Sequence, residues 1–385
     1  MGIHYPQMRI GFDLRPFLKE ETGIGVYFKR LLFHLAELDK TNEYFLFSSS
    51  MKDRFDPEKI PFFAKKKFLD LRFPVKAVDF IWSKWGWPTL DILFRTKLDL
   101  THSPIPFPLP TSGKKIVTVH DLFFLDVPRM TEKDTGKVYS RGIQRSLNQA
   151  DGIVAVSRYT AQQLSERFRL DEGKIRVIHH GIDLKEWESS KGESLERTKE
   201  SLALPSDFLL FVGAHEPRKN LPCLLKALRF VHDRYQKIHL VLVGRKGMDT
   251  QKIENDIQEL ALGSWVMMLG YVRDWDLKHI YQLASVFVFP SLVEGFGIPL
   301  LEAMACGLPI VASRTSALPE IAQDAAMYID PYEPEDIAAK IIHVLEDRGL
   351  KEKLVSAGKN RIRSFSWKRA ASESLAFYRD VHGRS

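Results

Sequence analysis

The sequence predicts two α/β domains, each a parallel sheet wound with helices on both faces. Three observations carry that reading: the length, the alternation of short β-rich apolar runs with helical patterns, and a polar break near mid-chain. At 385 residues the chain exceeds what one hydrophobic core usually organises. Hydrophobic residues make up 44% and charged residues 27%, ordinary soluble usage with no tract biased enough to predict disorder.

In chain order, the first half offers strands at Arg9–Asp13, Tyr44–Phe47, Leu98–Thr101, Ile116–Val119, Gly152–Val156 and Ile175–Ile178. The second half repeats the theme at Leu209–Gly213, His239–Val243, Val266–Leu269, Val286–Phe289 and Pro309–Ala312, each followed by helix or loop. Between them Asp183–Ser206 is polar, helical near Leu195–Leu204, and without strand signal. The expected division is therefore a first domain over 1–185, a linker over 186–206, a second domain over 207–365 and a closing helix within 366–385, with apolar positions at Ala370, Leu375, Phe377 and Tyr378.

The net charge of +7 is uneven. Residues 1–200 hold 33 Lys and Arg against 27 Asp and Glu, leaving 23 against 22 for the rest, so the first half meets something anionic or simply has a basic soluble surface. Lys65–Arg95 concentrates that charge, mixing Lys65, Lys66, Lys67, Arg72, Lys76, Lys84 and Arg95 with Phe68, Phe73, Phe80, Trp82, Trp85 and Trp87. Such a mixture suits a membrane interface or an acceptor surface, and equally a buried helix with a solvated basic face. Cys223 and Cys306 lie in apolar helical patterns without metal-ligand spacing. With no secretory signal and no apolar run of the roughly 18–20 residues that span a bilayer, the expectation is a cytoplasmic protein that can touch the inner face of the cell membrane but not cross it.

The most specialised segment runs from Pro290 to Gly307. It follows the strand Val286–Phe289, carries Gly295 and Gly297 for close approach of backbone to a ligand, and places Pro299 in the first turn of a helix that Gly307 ends. A loop at the carboxyl end of a parallel strand, feeding a helix N-terminus, is an anion site. Its carboxylates, Glu294 and Glu302, suit sugar and ribose hydroxyls. Cations come from the turn after Leu209–Gly213, where adjacent Arg218 and Lys219 can neutralise a diphosphate as a glycosidic bond breaks, with no metal needed.

In the first half, Gly23 and Gly25 form a shortened phosphate-binding turn without a third glycine. His120 ends a strand and so faces the interdomain cleft of a doubly wound fold, or is a satisfied structural histidine. Asp274-Trp275-Asp276 has a metal-binding look, but Asp274 just before a helical pattern is more simply its cap, and no metal site is expected.

Together these motifs resemble glycosyltransferase family 4, the retaining enzymes of the GT-B fold with two Rossmann-like domains, over about Arg9 to Tyr378. The most specific matches are GAHEPRKN at 213–220, LGYV at 269–272, FPSLVEGFGIPLLEAMACGLPIV at 289–311 and SALPEI at 316–321, with TGIG, VHDL at 119–122 and VSRYT at 156–160 in the first half. The resemblance implies that Arg218 and Lys219 bind the donor diphosphate, Glu302 the ribose, and Glu294 with the backbone of Phe296, Gly297 and Ile298 the transferred sugar. Gly213 and Leu300 fall in the same motifs and are expected to border the donor, and Tyr271 and Val272 to lie beside the base. Gly23 and Gly25 would close over the phosphates, His120 would sit by donor sugar and acceptor, and the last helix would cross back to the first domain. His180, where Asn is more frequent, is the departure.

The expected reaction is metal-independent, retaining transfer of a hexose from a nucleoside diphosphate sugar to a glycan or lipid-linked hydroxyl. The TVHDL and EPRKN patterns resemble bacterial mannosyltransferase-like members that build lipopolysaccharide or other surface polysaccharide, so GDP-mannose is the first donor to test. Glu294 is the only candidate nucleophile if retention uses double displacement, whereas same-face attack needs only positioning and leaving-group stabilisation. Domain closure would keep water from the donor. The alternative is a catalytically silent nucleotide-sugar-binding scaffold, against which the intact set His120, Arg218, Lys219, Glu294 and Glu302 stands. A nucleic-acid partner, prompted only by the basic pI, lacks any reader motif.

Overall fold

Short runs of Val, Ile, Leu and Phe suit strands buried on both faces, and such runs form the interior of two all-parallel sheets here. The computed structural model describes residues 6–17, 23–53, 66–126, 142–187, 190 and 192–384. The first sheet holds β1 (Arg9–Asp13), β2 (Glu43–Ser49), β3 (Lys66–Leu71), β4 (Leu100–Ser103), β5 (Lys114–Val119), β6 (Gly152–Ala155) and β7 (Ile175–Val177), in the order β3-β2-β1-β4-β5-β6-β7. The second holds β8 (Phe208–Val212), β9 (His239–Val243), β10 (Val266–Gly270), β11 (Val286–Phe289), β12 (Ile310–Ser313) and β13 (Ala326–Ile329), in the order β10-β9-β8-β11-β12-β13.

Both orders reverse direction once, between β1 and β4 and between β8 and β11. Loops leaving the carboxyl ends of those neighbours part to opposite faces of the sheet and open a crevice there, the place where such folds take ligands. In the second sheet the loops concerned are those carrying Arg218 and Lys219 after β8 and Glu294 after β11.

Two strands lie outside the sequence expectation, β3 and β13, and both are sheet edges. An edge strand needs only part of its surface buried and carries charge against unwanted pairing. In β3 this is visible in Lys66 and Lys67, the latter exposed with its ammonium 5.1 Å from the Phe45 ring centroid.

The chain divides into one unit of residues 1–122, 137–181 and 366–385 and another of 123–136 and 182–365. The polar stretch expected as linker contains a helix, Gly192–Ser201, whose Thr198 hydroxyl pairs with His279 Nδ1 at 2.6 Å, so it is part of the second unit. Asp274 does not cap the helix Asp274–Leu283 but opens it, with Arg273 in the cap position. Among the described residues no helix is long and apolar enough to cross a membrane.

The closing helix, Trp367–Gly383, belongs to the first unit. Its Trp367, Ala370, Ala371, Leu375, Phe377, Tyr378 and Val381 are buried with Ile10 and Phe12 of β1 and Phe28, Leu31 and Leu35 of the helix Gly23–Leu38. Entry of that helix requires a glycine at 181, since a Cβ there would fall 2.0 Å from the backbone nitrogen of Trp367. Gly181→Ala is therefore expected to lower the unfolding free energy by about 3 kcal/mol, the range of severe backbone clashes. Urea denaturation checks it against Gly192→Ala, where a Cβ meets nothing within 4 Å and the change should be roughly 0.5 kcal/mol or less.

Candidate functional site

The turn after β8 is shaped by Asn220, which adopts a left-handed φ of 58° between the short 3-10 turn Pro217–Lys219 and the helix Leu221–His232. Its amide Nδ2 donates to the carbonyls of Pro290 (3.2 Å) and Pro331 (2.6 Å), and the Leu292 N–H donates to the Arg218 carbonyl at 2.8 Å. The two loops are thus fastened by the Asn220 side chain and one backbone bond before any charged group acts.

On that frame Lys219 Nζ lies 2.5 Å from Glu294 Oε1, and Arg218 Nη1 lies 2.9 Å from Glu294 Oε2. The other edge of the guanidinium is also occupied, with Arg218 Nε 2.9 Å from Glu216 Oε2. Lys219 and Glu294 are both buried, and the ammonium sits 4.9 Å from the Phe289 ring centroid. Burial alone would push the Glu294 carboxyl up, but Lys219 and Arg218 outweigh it and hold it at about 2. Burial, reinforced by the charge of Arg218, pulls the Lys219 ammonium down, with Glu294 opposing. Counting formal charges, Arg218, Lys219, Glu216 and Glu294 sum to zero. An incoming anion must therefore compete with a carboxylate for each cation.

Next to this cluster the chain turns into the helix Ile298–Ala305 through Gly297, whose φ of 98° and whose neighbour Leu318 Cδ2, 2.9 Å from where a Cβ would stand, exclude a side chain. Phe296 is buried with its ring 5.9 Å from that of Phe365, edge to face. Ile298 and Pro299 start the helix half-buried, leaving its N-terminus free of a side-chain cap. Leu300 departs from the expectation: its side chain is fully buried and its N–H is already donated to the Gly297 carbonyl at 3.0 Å, so it offers a ligand neither. One turn on, Glu302 Oε2 accepts from the Tyr281 hydroxyl at 2.8 Å. Gly213 directly follows β8 and is half-buried, and after β10 Tyr271 is exposed and Val272 half-buried. Glu216, Tyr281 and Ser316, whose Oγ accepts from the Glu294 N–H at 3.0 Å, are partners that sequence reasoning missed. Only Glu216, next to the basic pair, had a local signal.

In the first unit Gly23 and Gly25 do not precede a helix but form the first turn of Gly23–Leu38, Gly23 exposed and Gly25 buried. Thr22 lies outside the described residues. His120 follows β5 with its Nε2 3.0 Å from the Pro104 carbonyl. A carbonyl only accepts, so Nε2 carries the proton and Nδ1 is a bare acceptor. The ring stacks on His180 at 5.4 Å and meets the edge of Tyr27 at 4.9 Å. Beneath them His102 joins Thr118 Oγ1 (2.8 Å) to the Tyr378 hydroxyl (2.6 Å). Burial pushes His120 down to about 4 against the bond to Pro104, and burial together with His120 pushes His102 to about 3. His180 is driven down well below the ordinary imidazole range by burial, then by His120 and His179. All three are neutral at physiological pH.

With this geometry in hand, the comparisons are decisive. Residues 193–361 match the family described as glycosyl transferases group 1, and residues 22–186 match Glycosyltransferase Family 4. The chain belongs to the group 1 glycosyltransferases. It is 29% identical over 267 residues to O-antigen chain mannosyltransferase B of Escherichia coli, a match spanning 69% of this chain and 70% of that protein. It is 27% identical over 264 residues to the serotype-specific mannosyltransferase WbdA of Escherichia coli, covering 67% of this chain but only 32% of that longer protein. Among solved structures, the sucrose-phosphate synthase from Thermosynechococcus elongatus superposes with a TM-score of 0.77 at 20% identity, covering 98% of this chain and 100% of that one. That likeness establishes the two-domain GT-B fold, and this glycosyltransferase is an enzyme of that class.

Two outcomes follow for this transferase. Removing Lys219 alone strands a buried carboxylate, so Lys219→Ala should cost about 3 kcal/mol or more. Lys219→Ala combined with Glu294→Ala should cost less than the two singles summed, as read from a double-mutant cycle in urea. The buried imidazoles set the acid response. Their folded pKa values lie below the unfolded 6.5, with His120 at about 4 and His102 at about 3. The stability they contribute is present above pH 6.5 and is lost as pH falls through those values, because the unfolded chain takes up the protons first. Denaturation midpoints measured downward from about pH 6.5 should fall, and His102→Gln should flatten the slope.

Proposed function

We propose that this enzyme transfers a hexose, with mannose from GDP-mannose the first to test, from a nucleoside diphosphate sugar to a hydroxyl of a glycan or lipid-linked acceptor. Transfer proceeds with retention and without a metal, in the assembly of bacterial surface polysaccharide. The observation that carries the reading is the Arg218–Lys219–Glu294 cluster, its Lys219 and Glu294 buried, just before the uncapped N-terminus of Ile298–Ala305 at the β8/β11 reversal. Cations and a helix N-terminus converging on one point are what a departing diphosphate needs. The two relatives named for mannose transfer support the choice of sugar.

In the proposed reaction the bond between the anomeric carbon and the β-phosphate oxygen breaks, its electron pair leaving on the diphosphate, which draws the Arg218 and Lys219 charges away from the carboxylates. The acceptor oxygen bonds the same carbon, and its proton passes to the departing phosphate oxygen. Without donor, Lys219 and Arg218 engage both oxygens of Glu294. We favour same-face attack, which needs only positioning and leaving-group stabilisation, with Glu294 released to accept from sugar hydroxyls as the cations turn to phosphate. Glu302, held by Tyr281, is suited to the ribose. His120 acts as a neutral acceptor through Nδ1 rather than as an acid. In this reading the two cations supply the charge that would otherwise have to come from a metal.

Turnover tests this directly. Nucleoside diphosphate release should occur from one nucleotide-sugar family only, persist undiminished in EDTA, and give a product whose anomeric configuration by NMR matches the donor. Lys219→Ala should lower kcat by about 100-fold or more, the scale of losing one preorganised charge-stabilising group. Activity abolished by EDTA and restored by a divalent cation would overturn the metal-free reading, and donor binding without turnover on any acceptor would favour the scaffold.

A further inference from the structure

The segment Phe73–Ile92 of the first unit carries a surface that the transfer reaction does not use. Its centre is the helix Val75–Trp85, which follows the edge strand β3. The inward side of the helix is accounted for: Val78 is buried with Phe47 and Leu90, and Trp82 packs 5.1 Å from Phe47 while its indole N–H donates to the Pro88 carbonyl at 3.0 Å. Asp79 fastens the helix to the end of β1 through Arg15 Nη1 at 2.6 Å. The orientation of the helix is therefore fixed, and what it shows to solvent is a consequence of sequence.

What it shows is apolar and basic together. Lys76, Phe80 and Lys84 fall four residues apart and so form one stripe. Phe80 is 58% exposed, Trp85 62% and Trp87 63%, with Phe73 and Ile92 exposed at either end. The stripe is organised: the Phe80 and Trp85 rings meet edge to face at 6.0 Å, and Lys84 Nζ lies 5.0 Å from the Trp85 centroid and 5.8 Å from that of Phe80. Arg72, Lys76 and Arg95 are exposed around them. Burying large aromatics normally repays more than leaving them in water, so their exposure beside cations calls for an apolar layer bounded by negative charge. Indole rings with lysines whose stems reach past them are the side chains that settle at a headgroup boundary.

We infer that the face formed by Val75–Trp85 and its flanks Phe73, Trp87 and Ile92 is an interfacial docking surface for anionic phospholipid. Phe80, Trp85 and Trp87 enter the acyl boundary while Lys76, Lys84, Arg72 and Arg95 meet the headgroup phosphates. The positive charge selects this partner over a neutral glycan stacking on the same rings and over a second copy of the face, whose lysines would repel one another.

The test needs neither donor nor acceptor, so it stands apart from the proposed reaction. The full chain is sedimented with vesicles of equal parts phosphatidylglycerol and phosphatidylcholine, and with phosphatidylcholine alone. The expected result is partitioning onto the anionic vesicles only, weakened in about 1 M salt, where the Debye length is about 3 Å. Phe80→Ser with Trp85→Ser should reduce it at least ten-fold, and Lys76→Glu with Lys84→Glu likewise. Phe230→Ser, at an exposed aromatic of the second unit, should leave it unchanged. Circular dichroism melts confirm that the variants fold. Equal binding to neutral vesicles, no binding to either, or loss in Phe230→Ser would overturn the proposal. So would a Phe80- and Trp85-dependent dimer in sedimentation velocity, or retention on soluble polysaccharide, without vesicle binding.

Discussion

A carboxylate placed where water cannot reach it must be paired, and that requirement organises the second unit. Glu294 stands at the carboxyl end of β11 with both oxygens taken, one by Lys219 and one by Arg218. Both cations come from the neighbouring strand's loop, so the pairing can exist only because the sheet order reverses between β8 and β11. The ties through the Asn220 amide side chain and the Leu292 backbone hold the loops at that spacing. The ion cluster therefore depends on topology, and the proposed donor site depends on the cluster. Stored this way, a buried ammonium and a half-buried guanidinium stay preorganised without being left unpaired.

The first unit handles polarity in the opposite manner. His102, His120 and His180 are kept neutral by burial and are linked through hydroxyls and ring contacts to Tyr27, Thr118 and Tyr378. The closing helix supplies Tyr378 and Trp367 to this nest, so the end of the chain supports the side chain that follows β5.

Much of this was legible in the sequence because the signals are local. Interior strands such as His239–Val243 and Val286–Phe289 are continuous apolar runs, and their bounds agree with the structure. Gly297 and Pro299 announce a helix start within three residues. The edge strands β3 and β13 were not legible, since half-exposed strands with lysine or polar neighbours lack a continuous apolar pattern. The exposed aromatic helix was ambiguous for a related reason: composition brings Phe80, Trp82 and Trp85 together, but only the fold shows that Trp82 turns inward while the others stay outside. Pairings across long sequence distance, Glu294 with Lys219 or His102 with Tyr378, were beyond any periodicity. The identity of His120 was readable, but not the proton on Nε2 that leaves Nδ1 an acceptor.

In the proposed reaction Arg218 and Lys219 are held by Glu294 until a diphosphate takes them. The most direct measurement is calorimetric binding of a nucleoside, its monophosphate and its diphosphate in EDTA, using the base that gives turnover, on the wild type and on Glu294→Gln. Affinity is expected to rise steeply at the second phosphate. Glu294→Gln, which releases Lys219 and one edge of Arg218, is expected to bind the diphosphate more tightly while transferring sugar more slowly. Equal affinity for nucleoside and diphosphate, or weaker diphosphate binding in Glu294→Gln, would contradict the proposal.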